Sequence, residues 1–314
     1  MEFFKLFESK MIPLKVENQF AFSDKDRNID VYIKREDLIH PFVSGNKFRK
    51  LKYNLAEAKK QNFKTLLTFG GAFSNHIAAV AFAGKAEGFK TVGIIRGDEL
   101  SEKIKDNPTL KFASENGMHF EFVSREMYRN KTDESFLLSM KEKFGDFYLI
   151  PEGGTNELAV KGCEEILTEE DKNFNFIACA VGTGGTIAGI IKSSLPNQQV
   201  LGFPALKGDF LQNEIRNFAE ETNWQLIDGF EFGGYGKVTT ELIVFMNDFY
   251  AETQILLDPI YTAKMVFGVR SLIEKGFFPD NTKILLIHTG GIQGIDGMNQ
   301  LLEKKKLPKI NRND

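Results

Sequence analysis

The sequence predicts an α/β protein of mostly parallel sheets covered by helices. Three observations carry this. Short apolar runs such as TLLTFG, KTVGIIRG, FIACAVG and KILLIH have the length and β-branched content of strands buried on both faces. Stretches with apolar residues at helical spacing follow them, so strand and helix alternate, as in βαβ units. Four strand-like runs end in turns rich in glycine and hydroxyls: Gly70–His76 (GGAFSNH), Gly153–Asn156 (GGTN), Gly182–Thr186 (GTGGT) and Thr289–Gly291 (TGG). In open α/β sheets, ligands bind outside such carboxyl ends.

In chain order, residues 1–30 offer an antiparallel edge strand, and IDVYIKRED reads as the next strand. His40–Pro41 and Ser44–Gly45–Asn46 break that pattern, and Leu51, Leu55 and Ala58 then recur on a helix opening at Lys47. TLLTFG is a strand. SNHIAAVAFAGKAEG is a helix capped by Ser74 and closed at Gly88. KTVGIIRG is a strand, PTLKFASEN a helix ended by Gly117, and HFEFVS a strand. Thr132–Phe144 is a helix and DFYLIPEGG a strand. Glu157–Leu167 (helix), FIACAVG (strand) and TIAGIIKSSL (helix) repeat the logic, followed by VLGFPAL, LQNEIRNFAEET and WQLIDGF. Gly236–Thr253 and Pro259–Lys275 read as helices, and KILLIHTGG completes the sheet before a last short helix.

Net charge is −3 over 314 residues, which gives no electrostatic reason to expect nucleic acid or an anionic membrane as partner. Cys163 and Cys179 are too few for a disulfide framework. With the four histidines they make no metal-ligand spacing, so no metal is expected. Charged residues interrupt the N-terminal apolar stretch, so no signal-peptide core forms. The uncharged runs Thr65–Gly84 and Asn173–Ile191 carry glycines and polar residues in their middles, which suits strand–loop–helix units better than membrane spans. A cytoplasmic setting is expected.

Lys47 stands just inside a helix start, behind Ser-Gly-Asn, where the dipole disfavours a cation. A lysine destabilised as its ammonium becomes a candidate nucleophilic amine. The plain alternative is that Lys47, Arg49, Lys50 and Lys52 form one solvated basic face. The loop Gly182, Thr183, Gly184, Gly185, Thr186 follows an apolar strand and opens a helix, which suits an anion. Ile187 replaces the third glycine of a dinucleotide fingerprint and no Gly-Lys-Ser/Thr follows, so a small phosphate is expected. Ser74 lacks the flanking glycine of a nucleophile elbow, His76 standing there, and helix capping is the plainer role. Tyr235, Tyr261 and Thr289 sit at element ends, where structural roles are commoner.

Together these segments form an ordered set: KREDL, SGNKFRKL, FGGAFSNH, PEGGTN, VGTGGT, GGYG, LDPIYTAK and HTGG. In that order, over nearly the full length, the chain resembles the 1-aminocyclopropane-1-carboxylate deaminase/D-cysteine desulfhydrase family. Those enzymes depend on pyridoxal 5'-phosphate and have the two-lobed tryptophan synthase β-like fold, also called fold type II. The resemblance implies that Lys47 carries the cofactor and moves protons, and that Gly182–Thr186 holds its phosphate. It places Asn75 at the phenolic oxygen, Thr289 near the pyridine nitrogen and Gly153–Asn156 elsewhere around the ring. Ser74, with Asn75 and His76, would meet the substrate, and Tyr235 and Tyr261 would line its side of the ring. Ser74, Tyr235 and Tyr261 are thereby candidate catalytic groups beside Lys47. Ring-opening deaminases carry Glu after the second tyrosine, Gln after Ser-Asn and Leu in the last turn. Thr262, His76 and Thr289 lean instead toward the desulfhydrases. Phe73 departs from the Gln common before Ser-Asn-His.

The resemblance implies a large lobe of residues 1–53 and 150–314 and a small lobe of 54–149. It implies β-elimination from D-cysteine, with ring opening of 1-aminocyclopropane-1-carboxylate as the enzymatic alternative. A cofactor-binding carrier without catalysis is the alternative from another class. The expected partners are a small amino acid and a second copy of the chain.

Overall fold

A computed structural model describes residues 16–206 and 210–312; the expectation about an N-terminal signal core falls on residues outside that range. Strand β1 (Asn18–Asp24) pairs antiparallel with β2 (Ile29–Lys34), and β2 leads into the 3-10 turn Glu36–Leu38. Helix α1 (Asn46–Lys60) follows, then β3 (Thr65–Gly70), α2 (Asn75–Ala86), β4 (Lys90–Arg96), α3 (Pro108–Glu115) and β5 (Met118–Val123). Helices α4 (Arg125–Arg129) and α5 (Glu134–Phe144) precede β6 (Tyr148–Ile150) and α6 (Glu157–Glu164). The remainder runs β7 (Phe176–Val181), α7 (Gly185–Ser193), β8 (Gln199–Pro204), α8 (Phe210–Arg216) and β9 (Trp224–Leu226). Then come α9 (Thr240–Thr253), α10 (Thr262–Glu274), β10 (Lys283–Ile287) and α11 (Gly294–Lys304).

The strands form two sheets. One has the order β1-β2-β10-β7-β8-β9, parallel except for β1; the other, β5-β4-β3-β6, is wholly parallel. The α/β class with mostly parallel, helix-covered sheets is therefore as expected. Central strands such as β3 (TLLTFG) are buried at every position because helices cover both faces.

Several element bounds differ from the sequence reading, two of them for a local hydrogen-bonding reason. The helix expected from Gly236 begins at Thr240, where the Thr239 hydroxyl accepts the Leu242 amide at 3.2 Å. The helix expected from Pro259 begins at Thr262, because the Asp258 carboxylate accepts the amides of Ile260 (3.1 Å) and Tyr261 (2.6 Å). The helix expected from Thr132 starts at Glu134, with Asp133 extended at its N-cap. LQNEIRNFAEET is helical only through Arg216.

The start of α1 is fixed from three sides. Gly45, at φ +59°, lies so close to the last turn that a Cβ would stand 2.0 Å from the Thr289 carbonyl oxygen. The Asn46 amide donates to that carbonyl at 3.2 Å. One turn on, Arg49 makes a two-pronged pair with Glu36, at 2.9 and 2.8 Å, and both side chains are buried. This pair ties α1 to the segment leaving β2.

Arg49→Met would leave Glu36 charged in the interior and should cost about 3–5 kcal/mol. Lys60→Met, at a side chain 79% exposed, should change stability by less than about 0.5 kcal/mol. Urea denaturation of the two variants measures the difference; equal small losses would mean the pair does not anchor α1.

Candidate functional site

The carboxyl ends of the strands converge on one cavity of about 570 Å³. It is lined by Asn46, Lys47 and Lys50 from α1, by Ser74, Asn75 and His76 from the start of α2, and by the Gly182–Gly184 turn with Thr186. Tyr235, Tyr261 and Thr289 also line it, so the residues singled out in the sequence meet in one place; of the five-residue loop, Gly185 alone is not on the wall. Thr262 does not line the cavity. Its hydroxyl accepts the Asp258 amide at 2.7 Å and donates to the Asp258 carbonyl at 3.3 Å, closing the first turn of α10.

The solvated basic face does not exist as such: Arg49 and Lys50 are buried, and only Lys52 reaches outward, to Glu165 at 2.7 Å. Lys47 points into the cavity, where its amine donates to Asn46 Oδ1 at 3.2 Å. Burial first, and then the Lys50 ammonium, bring the Lys47 amine down to about 7, against weaker pulls from Cys163 and Asp258. Desolvation and a second lysine one turn away, more than the helix dipole read from the sequence, are what loosen its proton. Lys50 is itself lowered by burial, and its amine donates to the Gly153 carbonyl (3.1 Å) and to Thr155 Oγ1 (3.0 Å).

The loop before α7 has the form of an anion cradle. Gly184 takes the left-handed conformation at φ +83° as the N-cap, and the following helix directs its free amides toward the loop. Thr183 Oγ1 lies 2.6 Å from Thr155 Oγ1, which also accepts from Lys50. Thr186 Oγ1 accepts from Asn46 Nδ2 at 2.9 Å, so Asn46 links this helix start to the Lys47 amine. Glycine cradle, two threonine hydroxyls and a buried ammonium together fit a phosphate group.

The α2 start supplies a second anion-favouring end, with the Ser74 hydroxyl accepting the Ile77 amide at 3.4 Å. Asn75 Oδ1 accepts from Gln293 Nε2 at 3.1 Å. His76 is buried, and its Nε2 lies 2.8 Å from Thr68 Oγ1. The Thr68 hydroxyl spends its one proton on the Ile150 carbonyl, so it must accept from Nε2–H, which fixes the tautomer. Nδ1 makes no close hydrogen bond among the described residues, with the Pro151 backbone acting weakly on the ring. Burial, then Lys47 and Lys50, hold this imidazole well below its ordinary range, so it is neutral at physiological pH.

Tyr235 and Tyr261 meet edge to face, 6.1 Å between ring centres. Burial pushes both phenols above their ordinary value, so neither is ionised near neutral pH. Behind them, burial raises the Asp258 carboxyl to about 7 despite its backbone hydrogen bonds, and its Oδ2 has no partner among the described residues.

The sequence reading missed Asn46 and Asp258, although both lie in the segments SGNKFRKL and LDPIYTAK that it singled out. It also gave no role to Lys50. Arg96 escaped notice too, and its place at the carboxyl end of a strand was the available signal.

Among known proteins, the family model described as "Pyridoxal-phosphate dependent enzyme" matches residues 13–290. A relative from Arabidopsis thaliana, the bifunctional D-cysteine desulfhydrase/1-aminocyclopropane-1-carboxylate deaminase, is 31% identical over 295 residues, 85% of this chain and 73% of that one. A D-cysteine desulfhydrase from Yersinia pestis is 28% identical over 291 residues, 83% of this chain and 86% of that one. A crystal structure of an ACC deaminase homologue superposes with a TM-score of 0.78 at 30% identity, covering 96% of this chain and all of the other.

Below about pH 7 the Lys47 amine is protonated and unreactive; above it the amine is free. Its reductive methylation by formaldehyde and cyanoborohydride should therefore rise with a midpoint near 7, well below the ordinary lysine value of about 10.4. Peptide mass spectrometry across pH reads the site. A Lys47 midpoint at the ordinary lysine value would contradict the desolvated amine.

Proposed function

Since this chain belongs to the family of pyridoxal-phosphate dependent enzymes, we propose that it is a lyase releasing pyruvate, ammonia and sulfide from D-cysteine. The observation that carries the reading is Lys47: a half-buried amine brought to about 7, in a cavity that also holds a phosphate cradle. We assign the phosphate to Gly182–Thr186 with Lys50, and the aldehyde carbon to Lys47. Bound there, pyridoxal phosphate supplies the electron sink for cleavage beside the amino nitrogen of a substrate.

The chain's own groups then have distinct tasks. Lys47, whose amine gives up its proton near pH 7, accepts the proton from the α-carbon. The amides at the start of α2, with Ser74, hold the α-carboxylate of the amino acid. Asn75, held by Gln293, would donate to an oxygen of the cofactor. The un-ionised phenols of Tyr235 and Tyr261 are proton donors, not bases, in the free protein; this favours Lys47 over a tyrosinate as the base. His76, held neutral, adds no cation that would hinder proton transfer to Lys47. Thr289, uncharged, leaves the pyridine nitrogen without an anionic partner, which favours elimination of a good leaving group such as a thiol. Overall, D-cysteine and water give pyruvate, ammonia and hydrogen sulfide.

Ring opening of 1-aminocyclopropane-1-carboxylate, with water, to 2-oxobutanoate and ammonia is the second reading, favoured by the name of the Arabidopsis relative. The small lobe is proposed as residues 54–149, carrying Ser74 and closing over the substrate, with residues 1–53 and 150–314 as the large lobe. Association of two copies and a cytoplasmic location complete the reading. The first is supported by the resemblance and by the exposed Phe42, which lies tilted against Phe82 (4.8 Å) and stacked on Phe112 (5.6 Å). The second is supported by the sequence reading.

Keto-acid release by the cofactor-loaded protein, measured with both amino acids in parallel, separates the readings. Pyruvate from D-cysteine without 2-oxobutanoate is expected, and the reverse pattern would reject the desulfhydrase assignment. Lys47→Ala should lower turnover by at least about 10³-fold and remove the visible absorption of the bound cofactor.

A further inference from the structure

One cation in the cavity has no task in this chemistry. Arg96 ends β4, next to the end of β3, where Gly70 pairs with Ile95. Its Nη2 is the atom nearest to a Cβ built on Gly71, at 3.9 Å, so it stands by the turn that leads into Ser74. The guanidinium lies over the Tyr128 ring at 5.7 Å from its centre. The other charged groups of this wall are matched. The Tyr128 hydroxyl donates to Glu152 Oε1 at 2.7 Å, and Lys131 pairs with Glu152 Oε2 at 3.2 Å. The Arg96 guanidinium, on a solvent-exposed residue at the rim of the cavity, has no hydrogen bond or ion pair among the described residues and lines the site together with Tyr235. Its charge and that of Glu152 act in opposite directions on the Tyr235 phenol, which places Arg96 on the tyrosine side of the site.

Other anions expected in the cavity already have receptors: the cradle and Lys50 for phosphate, the α2 start for an α-carboxylate. A planar fork stacked on an aromatic ring, with its donors unused, matches a carboxylate in two-pronged fashion. We propose that Arg96 is a specificity residue that receives a carboxylate on the substrate's side chain, so that the site takes β-substituted alanines whose leaving group ends in an anion. This rests on reading the site as a lyase of amino acids. For an S-carboxymethyl substrate, the Cβ–S bond breaks, its electron pair leaves on sulfur, and the sulfur takes up a proton. Water supplies the keto oxygen, and the products are pyruvate, ammonia and mercaptoacetate.

The test compares S-carboxymethyl-D-cysteine with S-carbamoylmethyl-D-cysteine, a neutral isostere, on the cofactor-loaded enzyme. The wild type should favour the carboxylate in kcat/KM by about tenfold or more. Arg96→Gln should bring the ratio to about one, and Arg96→Lys should restore part of it. No preference in the wild type would overturn the proposal. So would a rise in KM of Arg96→Gln that is equal for both compounds and for D-cysteine, since that pattern marks an α-carboxylate receptor. Calorimetric binding of the two compounds gives the same ratio without turnover. If the wild type releases no keto acid from any amino acid, the lyase reading fails. A tenfold difference in Kd that disappears in Arg96→Gln would then still support Arg96, and equal Kd values would overturn it.

Discussion

The seating of α1 on the turn after β10 is the constraint on which the site depends. Gly45 approaches the Thr289 carbonyl so closely that no side chain fits, and the Asn46 amide bonds to that carbonyl. Behind the helix, Gly162 is equally tight against the Arg49 carbonyl, with a Cβ separation of 2.0 Å, so α6 fixes the same helix from its other face. The pair between Arg49 and Glu36 fixes its rotation. With the helix locked, Lys47 faces the cavity while Lys50, one turn on, faces the phosphate cradle. Two lysines three residues apart thereby acquire different surroundings from one helix placement.

Electrostatics follows from that placement. Confining two amines in a poorly solvated pocket is unfavourable for both charges, and the structure relieves it unequally. Lys50 finds a carbonyl and a hydroxyl, while Lys47 finds only the Asn46 side chain. The amine with fewer partners gives up its proton more readily. The same surroundings keep the His76 imidazole and the Tyr235 and Tyr261 phenols uncharged beside the Lys47 amine.

Much of this was legible in the sequence. Apolar runs and helical spacing gave the alternating elements because two-sided burial leaves an unmistakable composition. The glycine-rich turns at strand ends located the site, since strand ends in a parallel sheet must converge. Exact helix starts were less legible: Asp258 and Thr239 compete for the first amides of α10 and α9 through side-chain hydrogen bonds that spacing alone does not reveal. The burial of Lys50 and Arg49 was also hidden, because a cluster of four cations looks solvated until the third dimension supplies Glu36, Thr155 and Gly153. Thr262, which the resemblance set on the desulfhydrase side, has its hydroxyl engaged with the Asp258 backbone in the first turn of α10. Arg96 offered only its place at the end of β4, since the side chains around its guanidinium come from distant parts of the chain.

The central claim is that burial and position select Lys47 among several lysines to hold the cofactor. Borohydride reduction of the protein loaded with pyridoxal phosphate, followed by peptide mapping, tests it most directly. A pyridoxyl label confined to Lys47 is expected. Label on Lys50 in its place, or spread over exposed lysines, would contradict the account of how this site is built.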